Sequence, residues 1–140
     1  LLDHPKGVTF LGFEELLRQV DILSLHVPNT ETTRHMIKKE SLAWMSSEAL
    51  LINMSRGSVV NQDDLIQHLK EHPSFTACLD VYAHEPLPQD SPLLEMNQCL
   101  LTPHIGASTQ EALRASSLAC VQAMEAFFRG ESANLPPLGL

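Results

Sequence analysis

The chain has 140 residues, 44% hydrophobic and 19% charged, which suits one folded domain and excludes a disordered chain. Nine basic against seventeen acidic residues leave a net charge of −8, which opposes nonspecific binding to nucleic acid or an anionic membrane. No apolar run approaches the roughly 20 residues that span a bilayer, and the opening LLDHPKG lacks the features of a signal peptide. The expectation is a soluble, cytoplasmic protein.

Short β-rich runs alternate with helical ones, which predicts an α/β parallel sheet. Residues 12–20 (GFEELLRQV) place Phe13, Leu16, Leu17 and Val20 at helical spacing, and residues 21–27 (DILSLHV) read as a strand stopped by Pro28. Residues 36–45 predict a second helix with Ile37, Leu42 and Met45 inward and Trp44 as a packing anchor. The next strand, residues 49–54 (ALLINM), is apolar on both faces, as a sheet covered by helices requires. Asn61 can cap a third helix whose stripe is Leu65, Ile66 and Leu69. Residues 75–81 (FTACLDV) and 99–102 (CLLT) complete the strands, separated by a proline-rich loop. A final helix opens at Ser108-Thr109-Gln110-Glu111 and runs to Arg129 before Gly130. It is apolar nearly all round, which predicts packing on more than one side.

Cys78, Cys99 and Cys120 are odd in number and lie in apolar surroundings, which predicts buried thiols in a reducing compartment. His68 and His72 share a helical face, but no acid or cysteine completes a metal set, and no metal site is expected. His4, His35 and His84 read as surface residues, and the LPPL tail as a packed extended end.

Open α/β sheets bind ligands beyond the carboxyl ends of their strands. There this chain places His26, then Ser55-Arg56-Gly57, then Asp80 with Glu85 beyond it, then His104. Arg56 offers a planar fork for a carboxylate, and has no adjacent acid in sequence. Taken alone, it could equally cap a helix or pair with Asp63 or Asp64. A carboxylate such as Glu85, bonded to one imidazole nitrogen of His104, would fix the tautomer and aim the other nitrogen at a substrate. Convergence of all three on a single pocket would suit reduction of a 2-oxo acid.

Four ordered segments, DILSLHVPNTETTRHMI, LLINMSRGSVVNQDDLIQHL, ACLDVYAHEPLPQDSPL and LLTPHIGAST, resemble the nucleotide-binding half of D-isomer-specific 2-hydroxyacid dehydrogenases. INMSRGSVVNQDDL and EPLPQDSPLL are most similar to glyoxylate/hydroxypyruvate reductases, whereas HIGASTQEA leans toward phosphoglycerate dehydrogenases. The resemblance implies an NAD(P)H-dependent oxidoreductase that reduces a small 2-oxo acid, glyoxylate or hydroxypyruvate, and assembles as a homodimer. Arg56 would hold the substrate carboxylate, His104 would give the proton, and Glu85 would support His104. Val27 and Pro28 would line the adenosine side of the cofactor cleft. Met54, Ser55 and Arg56 would lie near the nicotinamide, Asp80 would bind its carboxamide, and His104, Ile105, Gly106 and Ala107 would close around it. The alternatives are a 3-phosphoglycerate dehydrogenase, or a noncatalytic dimerisation or nucleotide-sensing module.

The resemblance also implies a partial Rossmann-like sheet flanked by helices, lacking the first βαβ unit and its glycine-rich turn. None of the six glycines supplies that turn. Residues 1–107 would form the partial NAD(P)-binding domain, and residues 108–140 a long interdomain helix and tail. Without the turn's backbone donors for pyrophosphate, the 140-residue chain is expected to bind the cofactor weakly and to turn over little.

Overall fold

The computed structural model describes residues 6–131; His4 and the LPPL tail lie outside them. Four parallel strands, β1 (Ile22–Leu25), β2 (Leu50–Asn53), β3 (Thr76–Leu79) and β4 (Cys99–Leu101), lie side by side in chain order. Helices α1 (Phe13–Gln19), α2 (Lys39–Leu42) and α3 (Gln62–Glu71) fall before or between the strands, and α4 (Gln110–Phe128) follows the last. All four predicted strands form, each a little shorter than its apolar run.

The register aligns Leu23 with Leu51 and Ala77, and Leu25 with Asn53 and Leu79. This face is buried, and Leu17 of α1, Leu42 of α2 and Leu65 and Leu69 of α3 join it in one core. Each such leucine contributes about 1.5–3 kcal/mol of burial. The predicted stripe of α3 is therefore borne out, as is its cap: Asn61 Oδ1 accepts from the Asp64 amide.

The opposite face carries Ile22, Ser24, Leu50, Ile52, Thr76, Cys78 and Leu100. It was expected to be covered as well; instead Ile22 and Leu100 are well exposed and the rest are half-buried or exposed. Only one side of the sheet is fully packed among the described residues.

Three further expectations change. Residues 36–45 form a helix only over Lys39–Leu42, because Ile37 is drawn into a parallel bridge with Val60. Helix α4 is capped by Thr109, whose hydroxyl accepts from the Ala112 amide, one residue later than the capping-box reading. None of its residues is buried, so its apolar side chains, including Phe127 and Phe128, stand at the surface rather than packing on two sides.

The cysteines are free but not buried: Cys78 and Cys99 are half-buried and Cys120, on α4, is exposed. Burial, with Cys78 nearby, pushes the Cys99 thiol up to about 11. Trp44 packs against the core with its ring edge-on to Phe13 and Arg18 above it. His68 is buried, stacked on His72 and edge-on to Phe75.

Candidate active site

Because all strands are parallel, their carboxyl ends share one edge of the sheet. Every residue singled out for chemistry leaves the sheet there. A cleft of about 530 Å³ lies beyond β1 and β2, between residues 26–29 and 54–56. Val27, Pro28 and Met54 give it apolar walls, and Ser55 and Arg56 give it polar ones.

Asn53, 1% exposed, shapes this corner. Its amide nitrogen donates to the Arg56 carbonyl, and its Oδ1 accepts from the Ser55 amide and hydroxyl. Arg56 is exposed and pairs with neither Asp63 nor Asp64; its Nη1 donates to the Ser55 carbonyl at 2.7 Å. The guanidinium is thus free of any carboxylate among the described residues.

A second cleft, about 610 Å³, lies beyond β3 and β4 and contains Tyr82, Glu85 and His104. Here the long-range expectation is met: His104 Nδ1 lies 2.7 Å from Glu85 Oε2. The other Glu85 oxygen accepts from the Tyr82 amide at 3.0 Å. The hydrogen bond with His104, then that from Tyr82, holds the Glu85 carboxyl below its ordinary range. The Tyr82 hydroxyl lies within hydrogen-bonding distance of the Leu79 and Thr102 carbonyls, tying the two strand ends together. His104 has a left-handed backbone, φ +53°, a conformation uncommon outside glycine.

Asp80 holds that conformation in place. Its Oδ1 accepts from Thr102 Oγ1 and the Ile105 amide, and its Oδ2 from the Gly106 amide at 2.8 Å. Both Asp80 oxygens are engaged by the 102–106 loop, and the residue is 3% exposed. Burial pushes its carboxyl up, but the hydrogen bonds from Thr102, Ile105 and Gly106 outweigh that and leave it lowered.

A lowered carboxyl stabilises the fold fully above the unfolded value, about 3.9, and that stabilisation is lost as pH falls through the lower folded value. Asp80→Asn keeps one oxygen but turns an amide donor toward a backbone donor, so it should cost about 2–4 kcal/mol at neutral pH. The difference from the unmodified chain should shrink near pH 3. Urea unfolding at the two pH values measures it, and an equal difference at both would remove the charge from the explanation.

The structure therefore brings Glu85 to His104 but does not place Arg56 in the same cleft. Gly106, two residues beyond His104, packs closely on Met54 of the first cleft: a Cβ there would lie 2.9 Å from Met54 Cε and 3.0 Å from Asp80 Oδ2. Ile105, Gly106 and Ala107 are exposed. Asn53, Thr102 and Tyr82 were not anticipated as site residues. Asn53 and Tyr82 bond mainly backbone groups and Thr102 donates to Asp80, contacts that leave no spacing signal.

A parallel sheet with helices between its strands, clefts at its carboxyl edge and a carboxylate-braced histidine define a Rossmann-like nucleotide-binding unit. Residues 2–106 match the family model "D-isomer specific 2-hydroxyacid dehydrogenase, NAD binding domain". The chain belongs to that family. It is 42% identical over 131 residues to the glyoxylate reductase of Korarchaeum cryptofilum, covering 94% of this chain and 39% of that protein. It is 40% identical over 120 residues to the D-3-phosphoglycerate dehydrogenase of Methanocaldococcus jannaschii, covering 86% of this chain and 23% of that one. Among solved structures, D-lactate dehydrogenase with NAD+ from Lactobacillus jensenii superposes with a TM-score of 0.81 at 31% identity, over 91% of this chain and 42% of that one. The chain thus spans well under half the length of these relatives.

Proposed function

We propose that the full-length protein containing this chain is an NAD(P)H-dependent reductase of glyoxylate or hydroxypyruvate, forming glycolate or D-glycerate. The observation that carries this reading is the 2.7 Å contact between His104 Nδ1 and Glu85 Oε2 at the carboxyl edge of the sheet. With Nδ1 engaged, Nε2 of His104 is left to deliver a proton to a carbonyl oxygen. Glu85 holds the ring orientation and stabilises its charged form. Arg56, turning from the Ser55 carbonyl, grips the substrate carboxylate through its fork.

The first cleft fits one end of a dinucleotide: Val27 and Pro28 offer apolar faces, Met54 reaches toward Gly106, and Ser55 and Arg56 add polar lining. A bound nicotinamide would supply hydride. Asp80 acts through the loop it holds, positioning His104, Ile105 and Gly106. A cytoplasmic homodimer is part of the same reading, supported by three free thiols and by the apolar surface left open on α4.

The phosphoglycerate dehydrogenase relative supports a second reading, oxidation of 3-phosphoglycerate. NADH oxidation by the full-length protein with glyoxylate, hydroxypyruvate and phosphohydroxypyruvate separates the two. Turnover is expected with the first two. Activity confined to the phosphorylated substrate selects the second reading, and none with any of the three would leave the noncatalytic module.

A further inference from the structure

A third cleft, about 360 Å³, lies on another side of the loop that carries Glu85, between residues 34–35, 58–63 and 83–84. Its walls are fixed by backbone bonds: the His35 amide donates to the Ser58 carbonyl, and Ile37 bridges Val60. His35 is the second described non-glycine residue with a left-handed backbone, φ +50°.

The cleft has an unusual polarity. Asn61 spends its side-chain oxygen on the Asp64 amide, and Gln62 spends its own on the Ala83 amide. Because backbone donors fix both orientations, each carboxamide is left with its NH₂ group unpartnered among the described residues. Arg34 adds a guanidinium with no partner among the described residues, and His35, His84 and Ser58 add further groups able to donate. Asp63 is the one acidic side chain on the wall. In an otherwise acidic chain, such a concentration of donors suits an oxyanion.

The single carboxylate narrows the choice. Sulfate carries no proton for Asp63 to accept. A phosphate monoester, whose second ionisation lies near pH 6, can carry one, and so can the free phosphate ion. We propose that this cleft is a binding site for a phosphate group, free or as a small monoester. Arg34 and the Asn61 and Gln62 amides bind its oxygens, and Asp63 accepts a hydrogen bond from its protonated oxygen. Through the Gln62–Ala83 bond, occupancy reaches the loop two residues before Glu85.

Inorganic phosphate is titrated into the 140-residue chain near pH 6 and followed by calorimetry and by the side-chain NH₂ signals of Asn61 and Gln62. Saturable binding should shift both signals, exceed sulfate affinity about tenfold, and weaken about tenfold in Arg34→Ala, as expected for loss of a charged hydrogen-bond donor. Asp63→Asn should abolish the preference for phosphate over sulfate. Glycerol 3-phosphate, titrated in parallel, separates a monoester site from one for the free ion. Equal affinity for phosphate and sulfate, indifference to Arg34→Ala, or loss of binding in Arg56→Ala instead, overturns the proposal. None of these results depends on the reductase assay.

Discussion

In the full-length protein, His104→Ala is expected to lower kcat for hydroxypyruvate reduction about a thousandfold, the range of a positioned general acid. Substrate affinity should change little. Arg56→Ala should do the reverse in emphasis, raising KM about 30- to 100-fold, since a carboxylate that loses a charge-assisted partner forfeits roughly 2–3 kcal/mol. The contrast follows from the separate placement of the two side chains: Arg56 lines the cleft beyond β2, and His104 the cleft beyond β4. Glu85→Gln should fall between, because the amide can still hold the ring but no longer balances its charge. Steady-state kinetics of the three variants decide it, and ordinary rates in both His104→Ala and Arg56→Ala would end the assignment.

The strands were legible because each is a short, apolar, β-rich run between helix and turn signals, as ALLINM and FTACLDV show. Helix α3 was legible because its cap and stripe are local. Residues 36–45 misled because the helical spacing of Ile37, Leu42 and Met45 says nothing of Val60, which captures Ile37 from a distance. The unpacked surface of α4 was missed for a related reason: a helix apolar all round announces partners but not which chain segment provides them. Glu85 and His104 could be nominated by type and position, but they lie 19 positions apart in the chain and only the fold sets their contact. Arg56 shows the converse. Its type and strand-end position nominated it just as readily, yet sequence could not show that its side chain would rest on its own Ser55 carbonyl.

Gly57→Ala is the substitution expected to disturb both halves of the site together. A Cβ at Gly57 would stand 1.8 Å from the Tyr82 carbonyl oxygen and 2.0 Å from its carbon. Both atoms are backbone, so no side-chain rotation relieves the clash; either the turn after Arg56 or the segment after β3 must shift. On one side the turn is tied by Asn53 to the Arg56 carbonyl. On the other, the Tyr82 amide holds Glu85 and the Ala83 amide holds Gln62. Any accommodation therefore moves the Arg56 end, the Glu85 end, or both. Overpacking of this kind costs about 1–3 kcal/mol and occasionally more. A displacement near 1 Å can lower catalysis about 100-fold. Thermal unfolding of the chain and kcat/KM of the full-length enzyme should both fall, and Gly57→Ser should be at least as damaging. A variant with unchanged melting and unchanged kcat/KM would show that the two backbones do not meet as described, and the coupling between the two clefts would go with them.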